Sequence, residues 1–199
     1  MSERIGILCE GKPNGEDQRV LSLLASRIRP DAAIQCVPLG SKPDLLRDCG
    51  AAAKAFIESG VHRVLIVFDL VPNFGRGPCM KRDRDEAFAS LATEDLGNHP
   101  CIFVVTVHKE LEAWLLADGS ALSNVLSRPA HVVRINDRKK AEQDANPKGR
   151  LRRLFQQHGR LYTAPDEAIK IAKAIPHKFG ALNHCPSFKR FGLKLTQAC

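Results

Sequence analysis

Two apolar runs constrain this chain more than anything else in it. Residues 61–70 (VHRVLIVFDL) and 101–108 (CIFVVTVH) are almost continuously apolar. Such runs suit strands covered on both faces rather than strands with one wet side. Parallel strands of this kind need helical crossovers, and the surrounding pattern supplies them. A short strand is predicted over 4–9, followed by a loop over 10–15 with Gly11, Pro13 and Gly15. A helix over 16–29 then carries Val20, Leu21, Leu23, Leu24 and Ile28 on one stripe, with Pro30 as its stop. Next come a strand at 32–39, a helix at 43–59 closed by Gly60, the strand at 61–70 and a polar loop over 71–80. A charged amphipathic helix at 81–96, the strand at 101–108 and a helix at 109–117 complete the series. The alternation predicts an α/β core over residues 1–118, with a mostly parallel central sheet flanked by helices.

After residue 118 the pattern changes. Helices are expected at 146–158, 166–174 and 176–183, with one weak strand at 131–135. Residues 119–199 therefore read as a mainly helical elaboration of the same domain, and 199 residues suffice for one such domain. Charge divides at nearly the same place. Residues 1–133 hold 15 Lys/Arg against 17 Asp/Glu, a net of −2, whereas residues 134–199 hold 15 against 5, a net of +10. A basic segment of this kind suits a polyanion, because each neutralised phosphate releases counterions. Lys139, Lys140, Lys148, Arg150, Arg152 and Arg153 are the candidate nucleic-acid contacts. A solvated helix face, or a surface for an acidic protein partner, is the competing reading.

Several classes are set aside. No apolar run approaches the ~20 residues that span a bilayer, and the opening Met1–Arg4 leads into a strand rather than a signal peptide, so a soluble, cytoplasmic protein is expected. The seven cysteines are scattered, odd in number and without a CxxC pair, which points to reduced thiols rather than a disulfide framework. Cys101 is expected to face the sheet. The Gly11–Gly15 stretch lacks the P-loop pattern, and no GxSxG elbow is present. His99, Cys101 and His108, like His177, His184 and Cys185, lack the close paired spacing of structural zinc. Trp114, Phe179, Phe188 and Phe191 read as core.

Acids stand where the strands end. The first strand runs into Glu10, the third into Asp69, and the fourth is followed by Glu110 and Glu112. In an open parallel sheet these ends share one rim, where ligands collect. Each acid alone has a local explanation, as a cap or a first-turn residue; their coincidence on one rim selects a shared site. Clustered carboxylates suit Mg²⁺ or Mn²⁺, hard ions that activate water and stabilise charge in phosphodiester cleavage.

Ile7-Leu8-Cys9-Glu10-Gly11, followed by a helix with Asp17 near its start, resembles the opening Glu-Gly motif of TOPRIM domains, the topoisomerase–primase fold also used by OLD-type nucleases. Val64–Asp69 resembles the second TOPRIM strand. Glu110-Leu111-Glu112-Ala113-Trp114, Asn146-Pro147-Lys148 and Cys185-Pro186-Ser187-Phe188 resemble a family of small TOPRIM-like bacterial proteins associated with anti-phage defence. The resemblance implies a metal-dependent nuclease acting as a defence effector beside an ATPase partner. Glu10 would be ligand or general base, Asp69 the principal ligand, and Glu110 or Glu112 a further acid. One position departs from the pattern: the family's second Asp falls at Val71. Asp83 and Asp85 are the candidate substitute ligands. A degenerate, non-catalytic TOPRIM-like binding subunit is the alternative.

Overall fold

The computed structural model describes residues 2–71 and 77–199, so the polar loop expected over 71–80 lies partly outside the described residues. Among these residues, four strands form one wholly parallel sheet in the order β2-β1-β3-β4: β1 (Arg4–Cys9), β2 (Ala33–Pro38), β3 (Arg63–Asp69) and β4 (Ile102–Val107). Ile7 faces Cys36 on one side and Leu65 on the other, and Asp69 pairs with Val107. Among the described residues, eight α-helices connect and cover the strands: α1 (Glu16–Ile28), α2 (Lys42–Glu58), α3 (Met80–Ala92), α4 (Glu112–Ala117), α5 (Gly119–Leu126), α6 (Pro147–Gln157), α7 (Asp166–Ala174) and α8 (Pro186–Thr196).

Side-chain alternation splits the core into two layers. Ile5, Ile7, Cys9, Leu65, Val67, Val105 and Val107 point into a large cluster with α1, α4 and the C-terminal helices. Leu8, Val64, Ile66, Phe68, Ile102 and Val104 point to the other face, against α2 and α3. The central runs are apolar throughout because both faces are covered. Leu151, Phe155, Phe188 and Phe191 belong to the same cluster as Ile5 and Ile7, so the basic C-terminal part contributes to the core of the sheet.

Local signals set the helix starts. Ser41 and Asp44 form a capping box at α2, with a proline in its first turn. Asn146 accepts the Gly149 N–H at 2.7 Å and Pro147 opens α6, which gives the Asn-Pro-Lys motif a capping role. On the second face, α2 and α3 touch backbone to backbone at Gly50, where an added Cβ would lie 2.0 Å from the Ser90 carbonyl oxygen. Gly50→Ala is expected to destabilise the chain by roughly 1–3 kcal/mol, since a backbone atom cannot step aside. Its denaturant midpoint checks this; an unchanged midpoint would mean that the helices do not pack so closely.

Four expectations are corrected. Residues 131–135 form no strand, only an isolated bridge between Arg128 and His131: the Val133 and Ile135 N–H groups donate to the Ser127 and Ser123 hydroxyls, at 2.9 and 2.8 Å, instead of to a neighbouring strand. No α-helix spans 176–183; a 3-10 turn, Leu182–His184, stands there, and the helix follows at α8 behind Pro186. The helix expected from 109 begins at Glu112, because Lys109 takes a left-handed turn (φ 69°) as the chain leaves β4. Cys101 and Cys199 are bonded, with Cα atoms 4.9 Å apart across 98 residues of sequence. Cys101 precedes β4 rather than facing the sheet, and linear spacing could not reveal the folding back of the C-terminus beside it. Among the described residues, no helix is long and apolar enough to cross a membrane.

Candidate active site

The order β2-β1-β3-β4 places a topological switch point between β1 and β3, since the chain leaves β1 toward β2 on one side and returns to β3 on the other. The crevice beyond the carboxyl ends at such a point is where open α/β sheets bind ligands. Glu10 and Asp69 flank it. The Glu10 Oε1 accepts the Asp69 backbone N–H at 2.8 Å, so the two strand ends are tied together by a site residue. Gly11 turns the chain with φ +99°, a conformation that strains any other residue. It pairs with Gly40 through backbone bonds of 2.6 and 3.0 Å, fixing the loop below the crevice.

A cavity of about 610 Å³ opens there, lined by Glu10, Asp17, Asp69, Glu110, Glu112 and Lys148 among others. Beneath it a void of about 10 Å³ is shared by Glu10, Asp17 and Asp69. Asp17 comes from the first turn of α1, where the helix dipole favours an acid. Glu112 opens α4. Its carboxylate pairs with the Lys148 ammonium at 2.5 Å, and Glu16 pairs with the same ammonium at 3.3 Å while accepting the Tyr162 hydroxyl. The Lys148 backbone N–H also donates to Glu110 at 3.2 Å.

Negative charge exceeds what these cations neutralise. Burial pushes the Glu10 carboxyl up to about 7, against the Asp69 N–H and Lys42, with the charge of Asp83 adding to the rise. Burial, reinforced by Glu16, Glu10 and Glu112, pushes Asp17 up to about 8. Asp69 is held well above the ordinary range by burial and by the charges of Asp17, Glu10 and Glu112. Glu16 and Glu110 are raised as well, by burial first and by Glu112. Burial alone would lower the Lys148 ammonium; Glu112 and Glu16 overcome it and hold the group charged.

The structure brings together Glu10, Asp69, Glu110 and Glu112 of the expected catalytic set, and adds Asp17 and Glu16 from α1 with Tyr162 behind them. Lys148 joins this cluster instead of the basic surface. Lys139, Lys140, Arg150, Arg152 and Arg153 are exposed. Asp83 is buried beside the rim, its Oδ2 3.5 Å from Lys42, whose ammonium also donates to the Asp69 and Leu70 carbonyls at 3.0 Å. Asp85 stands apart, in an exposed pair with Lys81 at 2.8 Å. The expectation that it joins the rim is corrected: two residues along a helix turn it to a different face from Asp83. Asp17 carried a sequence signal, its place after the Glu-Gly motif; Glu16, Tyr162 and Lys42 carried none.

The donors suit a hard divalent ion: they are all oxygen, largely buried, and short of positive charge. Among the described residues, no group of three or more acid, His or Cys side chains is already set to hold a metal.

No curated protein matches the sequence. Among solved structures, the C-terminal region of the Burkholderia pseudomallei OLD protein is similar at 17% identity and a TM-score of 0.48, covering 98% of this chain and 96% of that one. A family model described as "Domain of unknown function (DUF4276)" matches residues 20–196. That span takes in α1 from Val20 onward, the sheet beyond β1 and every later helix among the described residues, and the chain therefore belongs to the DUF4276 family.

Proposed function

We propose that the chain is a TOPRIM-like nuclease that hydrolyses phosphodiester bonds of DNA or RNA with Mg²⁺ or Mn²⁺, working as a defence effector with a protein partner such as an ATPase. The observation that carries this reading is the convergence of the half-buried Glu10, Asp17 and Asp69 on one void at the switch point, with their carboxyls held well above the ordinary range. Buried acids without adequate countercharge are costly unless they serve a ligand. Glu10, Asp17 and Asp69 would hold the ion, with Glu112 completing the acid set. A bound divalent ion supplies Lewis-acid charge to a phosphodiester and acidifies water. The Asp69 N–H fixes the Glu10 Oε1, which leaves Oε2 either to join the ion or, with the carboxyl pushed up to about 7, to accept a proton as general base. Lys148 on the cavity wall would meet a strand phosphate, and the exposed Lys139, Lys140, Arg150, Arg152 and Arg153 would hold the flanking backbone.

A binding-only subunit is the second reading, favoured by two positions. Val71 offers no ligand where the TOPRIM pattern has its second Asp, and its N–H is bound to the Lys109 carbonyl at 2.9 Å. Asp83 is committed to Lys42. Calorimetric titration with Mn²⁺ separates the two. Wild type is expected to bind, and Glu10→Ala/Asp69→Ala to bind at least roughly tenfold more weakly. Absence of binding in wild type would favour the scaffold reading.

A further inference from the structure

A second cavity, of about 570 Å³, lies on the other side of α6. Its α6 residues, Arg150, Arg153, Leu154 and Gln157, sit roughly 120–180° around the helix from Lys148. One helix therefore presents a lysine to the acidic site and arginines to a separate pocket. The facing wall comes from residues 134–138; Leu154 is half-buried in the lining and Leu122 is wholly buried behind it.

The charge of this pocket is lopsided. Arg134, Arg138, Arg150 and Arg153 line it against a single acid, Asp137. One Asp137 oxygen is already taken by the Gly119 N–H at 2.9 Å. Asp144 approaches Arg138 at 3.4 Å and Arg150 at 3.9 Å. Among the described residues no carboxylate pairs with Arg134 or Arg153, and the buried Arg138 Nε has no hydrogen-bond partner. Clustered guanidiniums repel, and an unmet buried donor is costly. An oxyanion relieves both, because the guanidinium fork matches phosphate oxygens two at a time. The volume falls within the roughly 300–1,000 Å³ of small-ligand sites, so it exceeds what a bare anion needs. The half-buried Leu154 offers apolar surface for a planar attachment.

We propose that this cavity is a phosphate-monoester site of nucleotide size, with the phosphate on the arginines and the base against Leu154. The same chemistry is offered by a free mononucleotide and by the 5′-phosphorylated end of a strand. The site shares Arg150 and Arg153 with the basic surface of the proposed function but does not depend on the acidic crevice, and it stands even if that crevice binds no metal.

The test is calorimetric binding in EDTA, which keeps the acidic site out of the measurement. The probes are AMP and a short oligonucleotide carrying either a 5′-phosphate or a 5′-hydroxyl. Arg134→Gln/Arg153→Gln is expected to weaken phosphate-dependent binding roughly tenfold or more, with an unchanged thermal midpoint because both residues are exposed. Each single variant should show part of that loss. Lys178→Gln/Lys189→Gln removes the same charge elsewhere on the surface and should change binding less than about twofold. AMP binding without preference for the phosphorylated oligonucleotide assigns the site to a free nucleotide. Tighter binding of the phosphorylated oligonucleotide than of the hydroxyl form assigns it to a strand end. Equal losses in the two double variants would reduce the pocket to diffuse charge and overturn the proposal, as would failure of AMP to bind together with equal affinity for the two oligonucleotides.

Discussion

At pH 8 without divalent ions, Asp17→Asn is expected to unfold roughly 5–10 °C higher than wild type, a gain of about 2–3 kcal/mol at the usual 2–4 °C per kcal/mol for a chain of this size. The sign follows from linkage. An unfolded aspartate titrates near 3.9, whereas Asp17 in the folded chain is pushed up to about 8 by burial and by Glu16, Glu10 and Glu112. Between those values the folded state binds a proton that the unfolded state releases, so stability falls as pH rises through the window. Glu10, raised to about 7, works in the same direction, and so does Asp69. Each unit corresponds to about 1.4 kcal/mol, so even a partial share of the Asp17 shift gives the stated gain. Asparagine keeps the shape and removes the titration. Its benefit should therefore shrink to about 1 kcal/mol near pH 4.5, where the folded carboxyl is protonated but the unfolded one is still mostly ionised, and vanish only below about pH 3.9. Added Mn²⁺ should raise the wild-type midpoint at pH 8 and raise that of Asp17→Asn less, because a ligand stabilises the state that binds it. Thermal melts from pH 4.5 to 8 check all of this. A wild-type midpoint that stays flat across that window would show that the acids are not jointly buried.

The pattern of residues exposed much of this arrangement and concealed a definable part of it. The apolar runs at β3 and β4 declare a covered parallel sheet, because only strands with both faces buried dispense with polar alternation. Once the strands are parallel, their terminal acids must share an edge, and Glu10, Asp69 and Glu112 became legible together. Lys148 did not. It belongs by sequence to a basic stretch, yet the cap at Asn146 and the docking of α6 beside α4 bring its ammonium to Glu112. Composition reports charge without direction; direction comes from tertiary packing. The same limit applies to Glu16 and Tyr162, which meet across 146 residues, and to Cys101 with Cys199. Residues 186–196 show the opposite failure. The helical signal was present, but the proline at 186 reads as a break until the chain supplies a helix for which it is the first residue.

Trp114→Ala should be the most damaging single change outside the acids, at about 3–5 kcal/mol, or a melting midpoint lower by roughly 6–20 °C. The indole is wholly buried, with Phe188 edge-on at 5.3 Å and Phe191 at 5.5 Å. Its Nε1–H donates to the Ser187 hydroxyl at 2.8 Å and to Glu142 at 3.2 Å, and the Ser187 hydroxyl donates in turn to Glu142. Glu142 also accepts the Ser187 backbone N–H at the start of α8, where a carboxylate is favoured, and reaches His108 at 3.2 Å. Two motifs separated by 73 residues thus close one buried polar network inside an aromatic cluster. Removing the indole leaves both a cavity and unmet partners, and the second cost can be measured alone. Trp114→Phe retains most of the apolar volume and loses only the N–H, so it should cost about 1–3 kcal/mol. The consequence extends to function, because Trp114 and Glu112 sit two residues apart on α4 and point in nearly opposite directions. The helix turn that buries the indole is the one that aims the carboxylate into the crevice. Trp114→Ala should accordingly weaken Mn²⁺ binding as well as lower the midpoint, while Trp114→Phe should leave binding close to wild type. A Trp114→Ala protein that melts within a degree or two of wild type would detach the aromatic lock from the fold, and with it the explanation of why Glu112 and Trp114 stand together.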